Sequence, residues 1–177
     1  MSRITPSAPA FLILSALLSL IAPPSTRSGE MLNDPSGFQG ITWGSAIAEL
    51  PNLTLAETGE RVKGYELKGG TPRLGDAPVE SMRFVTIDGR FVRVAVRYRG
   101  KETHEQVMAY LQSQFGPVSR IPGSMVRGLN QQFNWRGPDT EINLTYAAHN
   151  EHGYLFIESR ALAPRLTEAM LDIGSGY

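Results

Sequence analysis

A chain of 177 residues with 41% hydrophobic and 19% charged side chains has the composition of one ordinary globular domain. Its 17 basic residues against 17 acidic ones exclude a general nucleic-acid binder held by phosphate contacts. The absence of cysteine excludes disulfides, thiolate metal sites, cysteine nucleophiles and a lipidated cysteine in one step.

Arg3 is the only charge before Arg27, and the stretch from Ala10 to Ala22 holds nothing more polar than serine before Pro23-Pro24 ends it. This is a short basic start followed by an apolar run of signal-peptide length, too short to span a bilayer comfortably. Residues 1–28 therefore read as a signal peptide, with an uncleaved anchor as the alternative. Ser28, preceded by Thr26, suits cleavage better than Ala22, which has Leu20 at the minus-three position. Cleavage there removes Arg3 and Arg27 and no acid, leaving 15 basic against 17 acidic residues in a mildly acidic, exported chain, periplasmic or secreted. No transmembrane span is expected after that removal. Residues 29–37 are polar and turn-rich and are expected to be a flexible N-terminal segment, with a single domain over 38–177.

Within the domain, Ser45 is placed to cap a short helix over 46–50, with Ile47 and Leu50 as its core residues and Pro51 as its stop. A strand carrying Tyr65 and Leu67 is expected over 61–68, turned by Gly69-Gly70-Thr71-Pro72. The strongest local signal follows. Two β-branched and aromatic runs flank Asp88-Gly89 in Ser81 to Gly100, the pattern of a β-hairpin. A loop of only Asp88 and Gly89 would set Arg83 opposite Val94 and Phe84 opposite Arg93, mixing arginine and hydrocarbon on both faces. An odd loop, such as Ile87-Asp88-Gly89, puts Met82, Phe84, Val92, Val94, Val96 and Tyr98 on one face. Arg83, Arg93, Arg97 and Arg99 then share the other with Val85, Phe91 and Ala95.

A helix follows, in which Thr103 and Gln106 have capping-box spacing and Val107, Leu111 and Phe115 repeat at i, i+4, i+8 before Gly116-Pro117. The stretch 117–128 reads as loop. Three strands are expected over 130–135, 141–147 and 154–160. There Phe133, Trp135, Ile142, Leu144, Tyr146, Leu155 and Ile157 alternate with polar residues, the pattern of a sheet with one face in the core and one in water. After Pro164, Leu166, Met170 and Ile173 mark the apolar face of a terminal helix. The fold class is α+β: an antiparallel sheet with two helices packed on one face, formed by a duplicated α-β-β-β unit.

At fold level this resembles the β-lactamase-inhibitor-protein and outer-membrane-assembly small-protein-A architectures. In its motifs, Phe38-x-Gly-Ile-x-Trp-Gly44, Gly75-Asp76, the Phe84-to-Val94 hairpin, Leu111-x-x-x-Phe115-Gly116-x-Val118, Trp135 and Ile142-x-Leu144-x-Tyr146, the chain resembles a family of exported bacterial proteins of unknown function. Pro117 holds the place of a proline common after the helix-ending aromatic in that family. The resemblance implies export and a single domain, and no chemistry.

Catalytic signals are sparse. No Gly-x-Ser-x-Gly elbow occurs, and no histidine has a paired context. His149-Asn150-Glu151-His152 offers two imidazoles and a carboxylate on one turn, too few ligands for a closed metal site, so the stretch reads as a solvated turn. Asp76, Glu80, Glu102, Glu105, Glu141 and Glu158 could in principle supply a carboxylate pair. The arginine face, with Arg83, Arg93, Arg97, Arg99 and Phe91, is the candidate binding surface, suited to an anionic or carboxylate-bearing partner. The composite reading is a cofactor-free binding or assembly module recognising a protein or anionic envelope component. A hydrolase of an envelope substrate and an inhibitor-like protein are the alternatives.

Overall fold

A computed structural model describes residues 29–118 and 130–174. The expected signal peptide and most of the expected loop over 117–128 lie outside the described residues. The described residues begin with three two-residue strands, β1 (Gly29–Glu30), β2 (Gly37–Phe38) and β3 (Ile41–Thr42), and continue with β4 (Leu53–Thr58) and β5 (Val62–Leu67). A small hairpin of β6 (Arg73–Leu74) and β7 (Ala77–Pro78) precedes the long one, β8 (Ser81–Ile87) and β9 (Arg90–Arg99). Helix α1 (Lys101–Phe115), strands β10 (Asn130–Arg136), β11 (Thr140–Ala147) and β12 (His152–Ser159), and helix α2 (Ala163–Gly174) complete the order.

The fold is α+β, built on a mostly antiparallel sheet in the spatial order β1-β10-β11-β12-β9-β8-β5-β4. Two meanders meet in its middle. The first ends on β9, α1 carries the chain to the far edge, and β10-β11-β12 returns until β12 pairs antiparallel with β9. The inner face holds the core, where Phe84, Val94, Val96, Tyr98, Leu144, Leu155 and Ile157 pack with Val107 and Leu111 of α1. The i, i+4, i+8 spacing of α1 is what buries Val107, Leu111 and Phe115 on one stripe, each worth about 2 kcal/mol of apolar transfer. Trp135 is fully buried, and its indole N–H donates to the Gly116 carbonyl at 2.8 Å, which ties the sheet to the end of α1.

The central hairpin keeps the expected parity by a different device. Its turn is the two-residue Asp88-Gly89, both at positive φ (49° and 77°), with Ile87 opposite Arg90. The extra residue lies inside the ladder instead: Thr86 pairs with Phe91 but Val85 with Arg93, so Val92 is bulged out of register. Beyond the bulge, Met82, Phe84, Val94, Val96 and Tyr98 are buried inward as expected. Before it, Phe91 and Val92 exchange the faces expected of them. Phe91 enters the main core, whereas Val92 joins Val85 and Ile87 beneath α2.

Further corrections follow. The segment 46–50 is not helical: Ala46 bridges to Arg90 of β9, next to a Phe91 N–H to Ser45 carbonyl bond of 2.9 Å, and a single turn follows, closed by the Leu50 N–H on the Ile47 carbonyl at 3.1 Å. Without that helix the first half does not repeat the α-β-β-β order of the second. The helices lie on opposite faces rather than one: α1 covers the Tyr98–Leu144 side, and α2 packs Leu166 and Ala169 onto Val85, Ile87 and Val92. Ala169, not Met170, is the buried partner of Leu166. Helix α1 starts at Lys101, behind Gly100 at φ 99°, with no side-chain cap, so the Thr103–Gln106 capping box is unused. Strand β4, exposed at all but Leu53, was not expected at all. The segment 29–37 is laid along the sheet edge, with β1 parallel to β10, Met31 buried, and the Leu32 N–H on the Phe115 carbonyl at 3.0 Å.

Candidate functional site

Strand alternation sends one set of side chains of β9 and β12 into the core and the other set to the outer face of the sheet. The register then decides who meets whom: Glu158 lies opposite Arg93, Phe156 opposite Ala95, Tyr154 opposite Arg97 and His152 opposite Arg99. Helix α2 occupies the Val85–Ile87 end of this face. The rest presents a ladder of alternating rings and guanidinium groups.

The four expected arginines divide into two kinds. Arg93 lies 2.6 Å from the Glu158 carboxylate, both side chains are largely shielded (17% and 14% exposed), and its guanidinium stacks 5.0 Å from the centre of the Phe156 ring. Arg83 bridges Glu57 at 2.6 Å and Glu66 at 3.0 Å on β4 and β5. The Glu66 hydrogen bond, with the charges of both acids, raises the Arg83 pKa above its ordinary value. Both arginines serve as struts between strands. Arg97 and Arg99 are exposed and have no carboxylate partner among the described residues. Arg97 stacks 5.6 Å from the centre of the Tyr154 ring, a contact that orients the guanidinium without neutralising it.

Phe91 is not part of this surface. It is fully buried against Trp43 at 4.8 Å and Phe84 at 5.9 Å between ring centres. Tyr154 and Phe156, both more than a third exposed, take its place. Their signal was the period-2 pattern of β12: with Leu155 and Ile157 inward, Tyr154 and Phe156 must point outward. Thr145 and Asn143 stand opposite them on β11. Asn134 of β10 donates to Glu141 at 2.9 Å and to Asn143 at 2.7 Å, so the amides beside the rings form an ordered polar strip.

The other chemical candidates separate. Of the six acids, Glu141 and Glu158 become direct neighbours on β11 and β12, yet Asn134 holds one and Arg93 the other. His149 is exposed on the turn before β12, while His152 begins the strand with its Nδ1 buried and unpartnered. Among the described residues no three His, Cys, Asp or Glu side chains are grouped to hold a metal ion. His104 belongs to the interior: its Nδ1 shares a 2.7 Å hydrogen bond with the Tyr98 hydroxyl, and its ring stacks 3.9 Å from that of Tyr146. Burial raises the Tyr98 and Tyr146 phenols above their ordinary value, helped for Tyr98 by Tyr146 and for Tyr146 by Glu151 and Glu105. No helix of the described residues is long and apolar enough to cross a membrane.

No protein-family model, no curated protein and no solved structure matches this chain.

Proposed function

We propose that the protein is an exported, cofactor-free binding or assembly module of the bacterial cell envelope, which takes an acidic partner on its outer sheet face. The carrying observation is Arg97: exposed, stacked on Tyr154, and without a carboxylate partner among the described residues, beside the equally unpaired Arg99. A cation held in place by a ring keeps its charge for a ligand and loses less side-chain freedom on binding. The rings of Tyr154 and Phe156 add apolar contact, and Thr145 and Asn143 add hydrogen bonds at their border. The apolar leader and the Phe38-to-Gly44 resemblance support export. The partner presents carboxylates, either on an acidic protein segment or on an acidic envelope polymer.

The test compares poly-glutamate and polygalacturonate with uncharged dextran for binding to the immobilised protein at low ionic strength. An acidic polymer is expected to bind and to be released by salt. The Arg97→Ser/Tyr154→Ala variant is expected to bind at least about tenfold more weakly while melting within about 4 °C of the parent. Binding to neither acidic polymer, or equal binding to dextran, would sink the reading.

A further inference from the structure

A second concavity, separate from the arginine face, is built around the sequence motif Phe38-x-Gly-Ile-x-Trp-Gly44. The motif forms the β2–β3 hairpin and then turns at Gly44, whose φ of 81° is left-handed and suits only glycine without strain. Gly44 donates its N–H to the Phe91 carbonyl at 2.8 Å, so the turn is fastened to the start of β9. Trp43 is held just before it. Its indole N–H donates to the Thr140 hydroxyl at 2.9 Å, and that hydroxyl donates in turn to the Pro35 carbonyl. Phe91 packs against part of the Trp43 ring system. The half-buried remainder lines a wide-mouthed, solvent-open cavity of about 510 Å³.

The walls of this cavity come from distant parts of the chain: Trp43 from the motif, Arg90 from the hairpin tip, Asp139 from the β10–β11 turn, Ser159 from the end of β12, and Leu162 and Arg165 from the start of α2. Trp43 and Leu162 supply apolar surface. Two guanidinium groups face a single lining carboxylate. Neither arginine is saturated: Arg90 makes one long bond, 3.3 Å, to the Gly44 carbonyl, and Arg165 reaches Asp88 at 3.3 Å. Asp88 is itself already held by Arg61 through two bonds of 2.9 and 3.0 Å. Each guanidinium carries five N–H donors, so most of them remain for a ligand. The volume falls within the range of small-molecule pockets, and a rigid aromatic wall beside a forked cation suits a planar acid.

We infer that this cavity binds a small carboxylate with a flat apolar body, its ring against Trp43 and its carboxylate between Arg90 and Arg165. The inference does not depend on the arginine face. The chain has two tryptophans, and the other, Trp135, is fully buried, so the Trp43 indole N–H is a local reporter. Benzoate is titrated into the ¹⁵N-labelled protein while both indole N–H signals are followed, with the Trp43→Phe spectrum assigning them. Benzamide, of the same shape without the charge, is the matched control.

Benzoate is expected to shift the Trp43 signal saturably with a dissociation constant of about 1 mM or below, and to leave Trp135 in place. Benzamide and the Arg90→Gln/Arg165→Gln variant are each expected to weaken binding by about tenfold or more. The variant's unshifted Trp135 signal shows that it is folded. No saturable Trp43 shift up to about 20 mM benzoate overturns the site. Equal binding of benzamide, or undiminished benzoate binding by the double variant, overturns the assignment of a carboxylate ligand.

Discussion

Replacing Arg93 with alanine and, separately, Arg97 with alanine distinguishes a strut from a binding residue on one strand face. Arg93 and Glu158 are 17% and 14% exposed at 2.6 Å, with Glu141 directly beside Glu158. Removing the guanidinium leaves a poorly hydrated carboxylate next to a second one. Loss of one partner costs about 3–5 kcal/mol for a fully buried pair and at most about 1 kcal/mol for an exposed one, so the shielded geometry here places Arg93→Ala at about 2–3 kcal/mol. For a domain of this size that lowers the melting temperature by about 5–10 °C. Arg97→Ala loses a single exposed ring contact, about 0.5 kcal/mol or 1–2 °C. Thermal denaturation followed by circular dichroism reads both. Changing both partners, Arg93→Met with Glu158→Met, should recover most of the loss because no orphaned charge remains. If Arg97→Ala melts as early as Arg93→Ala, or if Arg93→Ala melts with the parent, the division of the arginines is wrong.

Three other measurements bear on the fold. A Cβ at Gly153 would run into the ring of Tyr98 on the neighbouring strand, so Gly153→Ala should cost about 3 kcal/mol in a urea titration; a neutral result would show that the ring has room to move. Leu166→Ala should cost about 3 kcal/mol, whereas Met170→Ala, on the exposed side of α2, should stay within about 0.5 kcal/mol, and the reverse order would place α2 the other way round. Tyr98 has a folded-state pKa raised by burial, so the unfolded chain loses that proton first as pH rises. Its contribution to stability is whole below about pH 10 and declines above it at about 1.4 kcal/mol per pH unit. Tyr98→Phe should therefore flatten the stability curve between about pH 10 and 12, while the raised Tyr110 and Tyr146 keep part of the slope. An unchanged slope would mean that Tyr98 ionises equally easily in both states.

Much of the sheet was legible because side-chain alternation is written locally. Phe133, Trp135, Ile142, Leu144, Tyr146, Leu155 and Ile157 announce which face of β10, β11 and β12 is buried, and the i, i+4, i+8 run does the same for α1. The hairpin shows the limit of that reasoning. Hydrophobic pattern demands one residue of offset between β8 and β9, but an odd turn and a two-residue turn with a bulge supply it equally well. The choice fell to Asp88-Gly89, a good two-residue turn, and to two separate apolar sites waiting for Phe91 and Val92. The lost helix over 46–50 is of the same kind. Five residues nucleate no stable helix alone, and β9 offered their backbone other partners.

The candidate site was half legible. Sequence by itself determined that Arg93, Arg97 and Arg99 would share one face of β9, because residues at even spacing on an unbulged stretch of strand point the same way, and all three follow the bulge at Val92. Which of them would stay free was decided only by strand order. Bringing β12 beside β9 set Glu158 against Arg93, and bringing β5 beside β8 set Glu66 against Arg83, while Arg97 met a tyrosine. Alternation belongs to a single strand and can be read along it; neutralisation of a charge belongs to its neighbour across the sheet, which may lie 65 residues away, as Glu158 does from Arg93.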